Sequence, residues 1–88
     1  MDSCRIDFRR PAEKDLRRIA PVHLSRLVEA IGALAANPLP PGVRKLVDSE
    51  HSYRIRVGDY RVVYQFLSQE RAVIIERVRH RREVYRDS

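Results

Sequence analysis

Only Gly58 and Asp59 stand between two runs of alternating polar and apolar residues, Tyr53 to Val57 and Tyr60 to Leu67. A two-residue connection with glycine first is the composition of a type II′ hairpin turn, whose first central position needs a positive φ. Such a turn sets the register of everything beside it. Val57 must face Tyr60, Arg56 face Arg61, Ile55 face Val62, Arg54 face Val63 and Tyr53 face Tyr64. Opposed residues share a face of the sheet, so Arg54, Arg56 and Arg61 project together on one side. Tyr53, Ile55, Val57, Tyr60, Val62 and Tyr64 line the other. The apolar side is the expected core, and the arginine side is left open.

The rest of the chain supplies the layer that covers the apolar side. Arg5 to Phe8 alternates and reads as a short opening strand. Pro11 starts a helix carrying Ala12, Leu16 and Ile19 as one apolar stripe, with acids toward its start and Arg17 and Arg18 at its close. Pro21 interrupts it. From Val22 to Ala36 a second helix follows, with Leu24, Leu27, Val28, Ile31, Leu34 and Ala35 at helical spacing. Pro38-Leu39-Pro40-Pro41-Gly42 is an extended connector. A weakly patterned stretch, Val43 to Val47, precedes the hairpin, and Ala72 to about Arg79 gives a third meander strand. The expected fold is α+β: an N-terminal strand, a helical hairpin, then a three-stranded antiparallel meander, with the helices packed on one face of a small antiparallel sheet.

At 88 residues there is room for one domain, expected over 1–88, and an inter-domain cleft is excluded. A lone cysteine, Cys4, cannot make an internal disulfide, so a bridged secreted scaffold is excluded and a reducing, cytoplasmic setting is expected. Neither a signal-peptide pattern nor a bilayer-spanning apolar run is present, so no membrane association is expected. His23, His51 and His80 lack zinc-site spacing, and the three glycines form no phosphate loop. Neither metal nor cofactor is expected.

Charge narrows the function further. Lysine and arginine together number 18 against 12 acids, a formal net charge of +6, which attracts phosphate polyanions. All but Lys14 and Lys45 of these cations are arginine, whose planar fork grips phosphate oxygens two at a time. A GC-rich genome would also favour arginine codons, so placement has to decide. Three arginines converge on strands that carry no acid, and Arg56 opposite Arg61 is a repulsive pair. A solvated face with splayed side chains would accommodate any one of them; three together point to an anion site. The run Arg77-Val78-Arg79-His80-Arg81-Arg82-Glu83-Val84-Tyr85-Arg86 brings further cations near Arg61. Which of its arginines share that face is open, because a one-residue slip in the preceding turn inverts the parity.

The hairpin Tyr53-Arg54-Ile55-Arg56-Val57-Gly58-Asp59-Tyr60-Arg61-Val62-Val63-Tyr64, followed by His80-Arg81-Arg82-Glu83-Val84-Tyr85, resembles the RelE branch of the RelE/ParE toxin superfamily. The Arg17-Arg18-Ile19 helix close and Lys45-Leu46 before the sheet extend the resemblance over nearly the whole chain. It implies a toxin of a type II toxin-antitoxin module, a ribosome-dependent endoribonuclease that cleaves mRNA without metal. In that chemistry a ribose 2′-hydroxyl attacks the adjacent phosphate, leaving a 2′,3′-cyclic phosphate and a free 5′-hydroxyl. The implied roles are charge stabilisation by Arg61 and Arg81, substrate binding by Arg54 and Arg56, and stacking or proton transfer by Tyr85. Well-studied members carry lysines where this chain has Arg54 and Arg56. Guanidinium is a poor base, so His80 or Tyr85 is the candidate proton acceptor. The implied partners are mRNA, the ribosome and a cognate antitoxin whose acidic or amphipathic segment covers the arginine face. Two other functions share the fold or the charge: a ParE-like gyrase inhibitor without nuclease chemistry, and a plain basic RNA-binding module, for which the aromatic supply is thin.

Overall fold

The computed structural model describes residues 3–82. In chain order these form β1 (Arg5–Phe8), α1 (Arg10–Arg17), α2 (Pro21–Ala33), β2 (Arg44–Lys45), β3 (Ser52–Val57), β4 (Tyr60–Leu67), a 3-10 turn (Ser68–Glu70) and β5 (Ala72–His80). Pro11 and Pro21 both sit in the opening turn of their helices, where a missing N–H costs nothing and φ is already helical. The second helix is shorter than its apolar pattern suggests: it ends at Ala33 with Leu34 as its cap. Val28, expected in its buried stripe, is 56% exposed.

The two helices cover one face of a five-stranded sheet ordered β1-β5-β4-β3-β2. The sheet is mixed where a wholly antiparallel one was expected, because β1 runs parallel to β5. Chain direction explains it. The helical hairpin returns the chain so that β2 runs against β1, and three reversals from β2 to β5 then leave β5 aligned with β1. The strand β2, inside the weakly patterned stretch, adds a short antiparallel edge to β3. The β3–β4 register is the one required by the turn, from Val57 opposite Tyr60 to Tyr53 opposite Tyr64. Gly58 has φ +61 and Asp59 stays out of the positive region, the sign pattern of a type II′ turn.

One irregularity orders the other side of β4. Val63 pairs with Arg77 but Tyr64 pairs with Ile75, so Glu76 is an extra residue in β5. The bulge is needed for burial. Val73, Ile75 and Val78 all lie in the core, yet Ile75 and Val78 are an odd number of residues apart and a regular strand would point them to opposite faces. Among the described residues, no helix is long and apolar enough to cross a membrane.

The core joins Ala12 of α1, Leu27, Ile31 and Leu34 of the α2 segment, and Ile55, Val62, Tyr64, Val73, Ile75 and Val78 of the sheet. Tyr64 is fully buried, and its hydroxyl donates to the Pro38 carbonyl at 2.6 Å, pinning the proline connector over the core. Burial, helped by the nearby Tyr53, pushes this hydroxyl up to about 12. The phenol ionises near 10 when unfolded, so its contribution is complete below that pH and is lost as pH rises toward 12. That loss amounts to about 2 to 3 kcal/mol. Tyr64→Phe is expected to cost about 1 to 2 kcal/mol at neutral pH and to flatten the fall in stability between pH 10 and 12, both measured by urea denaturation.

Candidate active site

Register alone assembles the site on the face away from the helices. Arg56 pairs with Arg61 across β3 and β4, and Arg61 pairs with Arg79 across β4 and β5. Three guanidinium-bearing side chains therefore form one row across three strands, with neighbouring Cβ atoms about 5 Å apart. A second row runs Arg44, Arg54, Val63, Arg77. Arg44, Arg54, Arg56 and Arg61, with Gly42, line an open basin of about 370 Å³, the size of a nucleotide-scale subsite. Arg56 is steered along the hairpin by its Nε, which donates to the Gly58 carbonyl at 3.1 Å.

Several acids among the described residues are held elsewhere. Arg9 faces Glu76 at 3.6 Å, Arg5 bonds Asp7, and Arg77 bonds Asp15. None of the ion pairs among the described residues involves Arg44, Arg54 or Arg56. The positive potential is thus concentrated on one face, where a phosphate lowers the energy of several cations at once. Among the described residues, no three His, Cys, Asp or Glu side chains come together at metal-binding distance.

Asp15 holds the edge of this arrangement. The β1–β5 pairing stops at Phe8 opposite Ile75, and among the described residues no strand covers the next stretch of the β5 edge. The Asp15 carboxylate takes over: it accepts from the Val78 backbone N–H at 2.9 Å and from Arg77 Nε and Nη2 at 2.9 and 3.1 Å. In sequence Asp15 reads as one of the acids toward the start of its helix, favoured there by the helix dipole. Its role arises from a contact between residues 62 and 63 positions apart, for which sequence carries no local signal.

The sequence-derived candidates divide. Arg54, Arg56 and Arg61 come together as expected. Arg81 lies at the turn end, its backbone N–H donating to the Asp59 carbonyl at 2.8 Å and its guanidinium 3.9 Å from the Asp59 carboxylate. His80 does not join them. It pairs with Tyr60 and meets the Tyr60 ring edge-on at 5.4 Å, while His23 of α2 approaches that ring from 5.7 Å. One residue beyond Arg79, it has the opposite parity and faces the helix side, so as a proton acceptor on the arginine face it is withdrawn. Its Nδ1 instead accepts from the Arg82 N–H at 3.3 Å. Tyr85 lies outside the described residues. Arg79 and Arg44 are additions: the first hung on the bulge, the second on a two-residue strand.

The family model for the ParE toxin of type II toxin-antitoxin system, parDE, matches residues 6–85. The chain belongs to the RelE/ParE toxin superfamily. Its relatives place it on the RelE branch. A protein designated RelE1 of Methanocaldococcus jannaschii is 31% identical over 93% of this chain and 94% of its own length. Toxin RelG of Mycobacterium tuberculosis is 33% identical over 92% and 94%. The RelE–RelB complex of Pyrococcus horikoshii contains a chain superposing with TM-score 0.80 at 27% identity, covering 90% of this chain and 96% of that one. The RelBE2 complex of Mycobacterium tuberculosis gives 0.77 at 31%, covering 89% and 98%. The protein is a RelE-type toxin of a toxin-antitoxin module.

Two measurements test the geometry of this RelE-type face. Arg54→Gln, which removes one member of the Arg44–Arg54 cross-strand pair, should stabilise the free protein by about 0.5 kcal/mol, a gain that shrinks at 1 M salt through screening. Asp15→Ala should destabilise it by about 2 kcal/mol, because it leaves the Val78 N–H without its acceptor; denaturant melts check both.

Proposed function

We propose that this RelE-type toxin is an endoribonuclease that cleaves mRNA on the ribosome by metal-independent transfer to the 2′-oxygen. The observation that carries the reading is the row Arg56, Arg61, Arg79 on the face the helices leave open. The ribose 2′-oxygen attacks phosphorus, the bond from phosphorus to the 5′-oxygen breaks, and a 2′,3′-cyclic phosphate remains beside a free 5′-hydroxyl. Charge builds on the non-bridging oxygens as the new bond forms. Fixed donors aimed there stabilise the transition state more than the ground state. Arg61, central in the row, has that role, and Arg79 shares it on the strength of its pairing. Arg54 and Arg56 bind and orient the flanking backbone, and Arg44 extends the track toward the β2 edge.

Guanidinium groups remain protonated at neutral pH, so they do not take the 2′-proton. With His80 turned to the helix side, Tyr85 is the assigned proton-transfer or base-stacking residue. Arg81 acts from the turn, beside Asp59. Among the described residues the arginine face carries few aromatic side chains, which fits a substrate already presented by the ribosome rather than free RNA captured by stacking. A cognate antitoxin is the assigned partner; several solved relatives are toxin-antitoxin complexes.

Induced expression followed by primer extension of cellular transcripts tests the assignment. Cuts within translated frames are expected for the wild type. With programmed ribosomes, Arg61→Ala and Arg79→Ala should each lower the single-turnover cleavage rate about 10²- to 10³-fold, while Arg54→Ala should act more on binding and its salt dependence. Growth arrest with intact transcripts and an induced DNA-damage response would overturn the nuclease reading in favour of gyrase inhibition.

A further inference from the structure

The strand β5 ends at His80, and Arg81 and Arg82 enter a helical turn. The first N–H groups of such a turn have no acceptor within it and must find one outside. Both do. The Arg81 N–H donates to the Asp59 carbonyl at 2.8 Å, and the Arg82 N–H donates to Nδ1 of His80 at 3.3 Å. His80 therefore stands where Ser, Thr, Asp or Asn usually caps a helix, with a ring nitrogen in place of the side-chain oxygen. The Tyr60 ring, edge-on at 5.4 Å, packs against the imidazole and restrains its plane, which keeps Nδ1 aimed at the turn.

The capped turn sets where Arg81 lies. One amide is tied to the hairpin loop through Asp59 and the next to the end of β5, and the Arg81 guanidinium comes within 3.9 Å of the Asp59 carboxylate. We infer that His80 is a positioning residue for cleavage: with no proton on Nδ1, it holds the turn that presents Arg81. This rests on the nuclease reading and gives it a pH dependence. A ring nitrogen accepts only while it carries no proton, and imidazole is the side chain whose charge changes between about pH 5 and 8. Once protonated, the ring turns an N–H toward the Arg82 N–H and adds a positive charge beside Arg81 and Arg82. The cap is lost, and Arg81 loses its fixed place. Neighbouring groups do not replace it. On the helix side His80 shares a hollow with Tyr60, Asp15, Arg18, Arg77 and Arg79, and the Asp15 carboxylate already serves Arg77 and the Val78 N–H. His23 of α2 lies across Tyr60, 5.7 Å from that ring, and Asp59 faces Arg81.

Single-turnover cleavage by the full chain on programmed ribosomes, followed from about pH 5.5 to 8.5, tests the assignment with three variants. Asparagine carries its oxygen where histidine carries Nδ1 and does not titrate. His80→Asn should keep the wild-type rate within about twofold at the alkaline end and lose the fall of about fivefold to tenfold that the wild type shows at the acid end. His80→Ala should be about fivefold to tenfold slower at the alkaline end, and His23→Gln should keep the wild-type profile. An acid fall retained by His80→Asn or removed by His23→Gln, or a wild-type rate in His80→Ala, would overturn the positioning role. In NMR spectra of the protein without ribosomes, the Arg82 amide should shift as the His80 ring titrates and exchange faster with water once the ring is charged. An Arg82 amide indifferent to that titration overturns the cap whether or not RNA is cleaved. A wild type that leaves transcripts whole overturns the nuclease assignment, and the Arg82 amide still decides the cap.

Discussion

Three arginines held opposite one another across β3, β4 and β5 are a repulsive arrangement that nothing in an isolated sheet would favour. It persists because the opposite face of the same strands is buried. Ile55, Val62 and Val78 sit against the helices, and moving any strand by one residue would exchange them for arginines. Burying three guanidinium groups beneath α1 and α2 costs far more than crowding them on the outer face. The core therefore dictates the charge pattern of the outer face. A stable fold and a strong anion site come from one register.

Two devices keep that register through the third strand. The bulge at Glu76 changes parity at the point where β5 passes from pairing with β1 to lying beside α1. Asp15 then closes the exposed edge, satisfying Val78 and drawing Arg77 toward the helix. Arg79 is left in line with Arg61. Acids near Arg5, Arg9, Arg77 and Arg81 neutralise the periphery. The field thus concentrates on the basin near Arg44, Arg54 and Arg56, where a sugar-phosphate backbone would gain most from it.

The hairpin was readable from the chain because its determinants are adjacent: Gly58 and Asp59 set the turn, and alternation on either side sets the faces. The helices were readable from prolines and stripes, although Val28 belongs to its stripe by spacing and to solvent by position. The parallel alignment of β1, the strand β2 and the separation of His80 from the arginines were not readable. Each depends on which segments lie side by side, and local composition does not encode that.

Sequence by itself determined that Arg54, Arg56 and Arg61 share a face and that this face opposes the apolar one, since a two-residue turn leaves the chain a single register. Tertiary structure alone decided that Arg79 completes the row, that His80 turns to Tyr60, and that among the described residues β3 keeps an open edge. Those outcomes follow from a bulge that aligns Ile75 and Val78 with the core and from a β2 only two residues long. Neither can be read until distant segments compete for the same buried space.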